Sequence, residues 1–259
     1  MREIYADHAA TTKIKREVLE SMMPYLEEEF GNPSSAYKLG INNKKAVEEA
    51  RKKVALAIGA EEANEIYFTS GGSEADNFAL RGIAKKRKNR GNHIITTKIE
   101  HMAILNTCKT LEKEGFEITY LNVDSDGIIK TSELERAIRP DTILISVMFA
   151  NNEIGSIEPI GEISKIAKKH GILFHVDAVQ AVRKCKNKCS KIRYRFNVNV
   201  WSQILWTKRN WCIICKSWYR DRTANIWWSS RKWKKSRNRK CACDSRNGKS
   251  NRNCYTKYR

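Results

Sequence analysis

Short runs of β-branched and aromatic residues alternate along this chain with longer stretches whose apolar positions recur roughly every three to four residues. The β-rich runs are residues 65–70 (EIYFTS), 93–98 (HIITTK), 117–122 (EITYLN), 142–148 (TILISVM) and 172–177 (ILFHVD). Helical spacing fills the intervals at 74–88, 102–114, 130–138 and 162–170, and two more helices are expected at 16–29 and 43–58. Such alternation predicts an α/β fold, a mostly parallel sheet with helices on both faces. No internal repeat is visible. Ligands of open α/β sheets collect at the carboxyl ends of the strands, so the polar residues just after each run are the candidate chemistry.

This pattern stops at Val182. Residues 1–182 carry 25 Lys+Arg against 27 Asp+Glu, whereas residues 183–259 carry 24 against 2. The tail holds all seven Trp and seven of the eight Cys, but no Glu, one Leu (Leu205) and one Gly (Gly248). The head holds all five His and one Cys, Cys108. The basic total therefore says nothing about the head. A single Cys fits a reducing compartment, and neither a bilayer-length apolar run nor a signal pattern is present. A cytoplasmic location with no membrane association is expected.

Four post-strand segments stand out in the head. Gly71-Gly72-Ser73-Glu74 opens a helix, where free N–H groups attract phosphate; taken alone, the segment reads first as a plain strand-to-helix turn with a Ser cap. Glu100-His101 follows the second run. Ala150-Asn151-Asn152-Glu153-Ile154-Gly155 follows the fourth and is also consistent with a simple turn. Asp177 ends the fifth, with Gln180 after it. A carboxylate there can keep a ring nitrogen protonated, as in pyridoxal phosphate sites, or it can cap the next helix.

In order and combination, YADHAATT (5–12), GNPSS (31–35), FTSGGSEADN (68–77), EHMA (100–103), ANNEIG (150–155) and HVDAVQ (175–180) closely resemble the cysteine desulfurases. These are class V aminotransferases, within the fold-type-I pyridoxal phosphate enzymes. The resemblance runs from Tyr5 to Val182 and is nearest to the iron–sulfur-assembly branch. It implies a pyridoxal 5'-phosphate cofactor with Gly72 and Ser73 on its phosphate. His101 would stack on the ring, Asp177 would pair with the ring nitrogen, and Gln180 would bond the ring hydroxyl. Asn152 would lie near that hydroxyl and the substrate carboxylate. It also implies a homodimer that takes sulfur from L-cysteine, leaves L-alanine, and passes sulfur through an enzyme persulfide to an acceptor or scaffold protein. Selenocysteine lyases share these head motifs.

The family pattern continues with a strand ending Ser-Gly-His-Lys, whose Lys forms the Schiff base. This chain instead reads Val200-Trp201-Ser202-Gln203-Ile204. The genetic code accounts for the change. A Trp codon read one base later becomes a Gly codon, so the seven tail Trp become seven Gly. Shifted in this way, codons 197–204 permit Met-Ser-Met-Ser-Gly-His-Lys-Phe, and the missing Lys spans the codons of Gln203 and Ile204. Codons 205–215 permit Tyr-Gly-Pro-Lys-Gly-Ile-Gly-Ala-Leu-Tyr-Val. A one-base insertion (or two-base deletion) near codons 182–183 is therefore expected. The head is then a partial, truncated large domain, and residues 183–259 are an out-of-frame tail without native domain or order. No catalytic residue is expected in this chain, because the Schiff-base Lys and the persulfide Cys are both missing. Cofactor binding should be weak, dimerisation compromised, and the edge of the sheet left open. The rival reading gives the tail a function. Cys212-Ile213-Ile214-Cys215 has zinc-like spacing, and the basic stretch around Trp233 could stack bases. It would make the chain a non-catalytic protein with a zinc- or nucleic-acid-binding tail. The absence of tail His argues against zinc, and a +22 tail binds polyanions without sequence preference.

Overall fold

The computed structural model of the chain describes residues 4–8, 12–58, 60, 62–181, 200–202 and 211–215, the last two stretches as backbone only. Helices α1 (Arg16–Glu27) and α2 (Lys38–Ile58) come first. The alternating part follows as β1 (Ile66–Thr69), α3 (Gly72–Arg87), β2 (His93–Thr97), α4 (Met102–Lys113), β3 (Glu117–Leu121), α5 (Thr131–Ala137), β4 (Thr142–Met148), α6 (Ile160–Lys169) and β5 (Leu173–Asp177). All five expected strands and all six expected helices form. The α2 helix begins at Lys38 rather than 43 because Gly40, which breaks the apolar spacing, lies inside it. A Cβ at Gly40 would stand 2.5 Å from the Asn32 carbonyl oxygen and 2.7 Å from that of Ser35. Only glycine lets the 31–35 loop press against the helix there.

Two more strands, β6 (Val200–Ser202) and β7 (Trp211–Cys215), join the sheet, whose order is β1-β7-β6-β5-β4-β2-β3. Pairing is parallel from β3 through β6, and β7 runs antiparallel to both its neighbours. The open edge expected beside β5 is thus not found: β6 pairs along it, with Asp177 opposite Ser202. The rest of the tail, with the expected disorder and the stretch around Trp233, lies outside the described residues. Cys212 and Cys215 lie on β7. Extended backbone sets positions three apart about 10 Å from each other, unlike the tight turn of a zinc-binding Cys pair.

The core is two apolar layers separated by the sheet. On one face α3 and α4 bury Ala75, Leu80, Ile83, Ile104 and Leu111 against Ile94, Leu144 and Leu173. On the other, Val54 of α2, Leu134 of α5 and Ile160 and Ile163 of α6 cover Ile95, Ile145, Phe174 and Val176. Strand alternation therefore puts Leu173, His175 and Asp177 on the α3–α4 face and Phe174 and Val176 on the other. Chain progression reverses between β2 and β4: β2 leads outward to β3, whereas β4 leads the other way to β5. That reversal opens a crevice at the carboxyl ends, where open sheets bind ligands.

Candidate functional site

Each candidate residue follows the carboxyl end of a strand. Gly72 and Ser73 form the first turn of α3 just after β1, and His101 is the N-cap of α4 just after β2. Asn152 lies in the turn after β4, and Asp177 ends β5 with Gln180 in the turn beyond. Helix α3 crosses above β4 to β7 beside α4, so its start and that of α4 share the Asp177 face.

The start of α3 is open. Its N-cap is Gly71, in extended conformation, and no side chain caps it. The Ser-cap reading does not hold: Ser73 is exposed, and it is Ser70 whose backbone N–H and hydroxyl both donate to Glu74, at 2.7 Å each. An uncapped first turn leaves N–H groups free for an anion. A carboxylate placed there would compete with that anion. Ser73→Asp is therefore expected to weaken binding of pyridoxal 5'-phosphate at least about tenfold. Phosphate-free pyridoxal should be affected far less, and both affinities can be read by equilibrium fluorescence titration.

Asp177 is 6% exposed. Its Oδ1 accepts from the Val179 N–H at 3.1 Å, so part of the turn-capping reading is realised. Burial pushes its carboxyl up to about 6, against the pull of the Val179 bond and the nearby His101 imidazole. The His101 Nδ1 accepts from the Ala103 N–H at 3.1 Å. A neutral His101 therefore carries its proton on Nε2. A buried carboxylate, an oriented imidazole and an uncapped helix start on one face fit a flat, protonated heterocycle bearing a phosphate, so the residues present suit pyridoxal phosphate.

Asn152 is exposed and Gln180 half-buried. The neighbouring Asn151 builds the turn. Its Oδ1 accepts from the N–H groups of Glu153 (2.7 Å) and Ile154 (3.0 Å), and its Nδ2 donates to the Ile99 carbonyl at 3.0 Å. Glu100 is the residue to which the sequence reading gave no role. It is buried, with Oε1 accepting from Thr97 Oγ1 and from the Met148 N–H, both at 2.8 Å. Its one available signal is position: a carboxyl directly before His101 and at the end of an apolar strand.

Burial pushes Glu100 up to about 8, with Asp177 and Glu158 adding to the rise and the Met148 and Thr97 bonds opposing it. The folded chain then holds a proton on Glu100 that the unfolded chain has lost, so stability falls as pH rises from the ordinary carboxylate range to about 8. The expected slope is about 1.4 kcal/mol per pH unit. Buried His175, pushed down to about 3, and His93, lowered by burial, bind a proton near 6.5 only in the unfolded chain, which opposes this decline near that pH and fades above about 7. Urea unfolding across about pH 6.5 to 7.5 should therefore give a stability that falls with pH in the parent chain relative to Glu100→Gln, the difference between the two carrying the slope.

Two other clusters are structural. Ser146, His175 and Asp76 have the residue types of a hydrolase triad, with Ser146 Oγ 2.9 Å from His175 Nδ1 and Asp76 Oδ1 3.9 Å from Nε2. All three are sealed at 0% exposure, so no substrate reaches them, and they tie α3 to β4 and β5. Cys108 is buried in α4, and burial pushes its thiol up to about 12, which leaves no reactive thiolate. Among the described residues no His, Cys, Asp and Glu group could hold a metal, and no helix is long and apolar enough to cross a membrane.

Known proteins resemble this chain in sequence and in fold. A cysteine desulfurase, IscS, of Methanosarcina thermophila is 59% identical over 181 residues, 70% of this chain and 45% of that protein. The IscS of Clostridium botulinum strain Kyoto has the same identity and coverage. The chain thus spans about 45% of the length of these relatives. Among solved structures, SspA in complex with cysteine superposes with a TM-score of 0.77 at 37% identity, covering 84% of this chain and 62% of that one. The apo cysteine desulfurase of Thermococcus onnurineus NA1 gives 0.72 at 27% identity, covering 83% and 54%. The class-V aminotransferase family profile matches residues 4–198. With that match, its fold-type-I sheet and a site suited to pyridoxal phosphate, the chain belongs to the class-V aminotransferase family, and its head is similar to the cysteine desulfurases within it.

Proposed function

We propose that residues 1–182 are the cofactor-binding part of a cysteine desulfurase, and that residues 183–259 are out-of-frame translation that deprives this chain of turnover. The observation that carries the first half is that Asp177, the nearby His101 and the uncapped start of α3 share one face of the sheet. Bound pyridoxal phosphate supplies an electron sink for reactions at the carbon next to an amino acid's carboxylate. The chain's own residues bind and orient it. The α3 N–H groups with Gly72 and Ser73 take the phosphate. Asp177 holds a proton at the ring nitrogen, His101 covers the ring, Gln180 bonds the ring hydroxyl, and Asn152 faces the hydroxyl and the substrate carboxylate.

The second half rests on the register of β6. Ser202, at the end of β6, lies opposite Asp177. The next residue in sequence is Gln203, where the shifted reading supplies the Lys. A glutamine amide is not a nucleophile at neutral pH and cannot replace it. The intact protein would take L-cysteine as substrate, act in the cytoplasm as a homodimer, and hand sulfur to an acceptor for iron–sulfur cluster assembly. Saturable binding of pyridoxal 5'-phosphate by the chain, with no borohydride-reducible attachment, supports the reading. No saturable binding, or covalent attachment at the existing Lys208, contradicts it.

A further inference from the structure

Glu100 has a place in the fold that the roles above leave unused. It bridges the crevice where chain progression reverses, from Thr97 at the end of β2 to Met148 at the end of β4. Asn151 braces the same turn through the Ile99 carbonyl. The residue so clamped is followed directly by His101, whose ring is fixed in turn by the Ala103 N–H. Oε2 of Glu100 is buried without a hydrogen-bond partner, so this carboxyl is not placed there for bonding capacity alone.

We propose that Glu100 is the positioning residue of this site, locking the His101 turn across the crevice so that the imidazole is held over the cofactor ring. The inference rests on the cofactor reading above. It explains why an acid stands in a dry crevice beside Asp177, with Glu158 near it and the Cys108 thiol on α4. Held neutral, Glu100 accepts two hydrogen bonds on one oxygen and adds no second negative charge beside Asp177. Asp177 is then the carboxylate that faces the ring nitrogen. The neighbouring His101 favours the charged form of Asp177.

The test uses the full 259-residue chain and four variants: Glu100→Gln, Glu100→Ala, His101→Ala and the double Glu100→Ala/His101→Ala. Pyridoxal 5'-phosphate affinity is measured by fluorescence titration, and the His101 ring resonance by NMR without cofactor. Glu100→Gln keeps the accepting oxygen and should bind within about threefold of the parent, whereas Glu100→Ala should lose about tenfold or more. If Glu100 acts through His101, the double variant should bind no more weakly than His101→Ala alone. The His101 resonance should move in Glu100→Ala and stay in Glu100→Gln. Independent, multiplying losses, or a Glu100→Ala chain that binds like the parent, overturn the positioning role. If the parent binds no cofactor, the cofactor reading fails separately. The ring resonance then decides alone: an unmoved signal in Glu100→Ala overturns the inference, and a moved one upholds the clamp.

Discussion

Given pyridoxal 5'-phosphate, L-cysteine and a dithiol reductant, the 259-residue chain is expected to release no sulfide and no alanine above a protein-free control. The reason is local. β6 is registered with Ser202 opposite Asp177, and the chain then continues with Gln203. The reaction needs an amine that attaches the cofactor and moves protons, and a thiolate that takes the sulfur. Cys108, buried with its thiol pushed up to about 12, cannot serve as that thiolate. Removing one base near codons 182–183 should restore both groups at once, and a dithiol that reduces the persulfide should then release sulfide in an amount equal to the alanine formed. Restoring the amine alone by Gln203→Lys should give borohydride-reducible attachment of the cofactor without sulfur transfer. Sulfide release by the unaltered chain would overturn this part of the account.

Replacing Asp177 by Ala should be the most damaging change in the head for cofactor binding, lowering affinity on the order of 100-fold or more. Its carboxyl is 6% exposed, and breaking a buried charge pair costs roughly 3–5 kcal/mol. The pH dependence follows from the same burial. In the chain without cofactor the carboxyl sits up at about 6, so its charge is present above that pH and is lost as pH falls through it. Cofactor affinity should therefore weaken below about pH 6 in the parent chain, and that limb should vanish in Asp177→Ala. Val179 loses a hydrogen bond in this variant, so Asp177→Asn, which keeps an acceptor for the Val179 N–H, separates the charge from the turn. Equal binding by Asn and Asp at neutral pH would remove the ring-nitrogen role.

The strands were legible because their composition is β-branched and their neighbours are helical, and β4 (Thr142–Met148) has the limits its sequence predicts. Asp177 was legible as an acid delivered by an apolar strand. Glu100 was not, because its partners, Thr97 and the Met148 N–H, meet it only after β2 and β4 pair across the crevice. Asn151 escaped for a similar reason: adjacent amides look alike in sequence, and only the fold separates the one that builds the turn from the exposed Asn152. β6 and β7 are rich in strand-favouring Val, Trp and Ile, and they cover the segments for which the shifted reading gives Ser-Gly-His and Gly-Ala-Leu-Tyr-Val. Their backbone pairs with β5 and β1, whose edges would otherwise leave N–H and C=O groups unpaired, a demand that any extended segment can meet.

The most direct test is the nucleotide sequence of the gene across codons 175–210, read from source DNA. The account predicts that, from about codon 183 onward, the frame one base later encodes Ser-Gly-His-Lys over codons 200–203 and Gly for each Trp. A shifted frame that gives no such continuation would mean that residues 183–259 are the protein's own design, and the account of a broken desulfurase would be wrong.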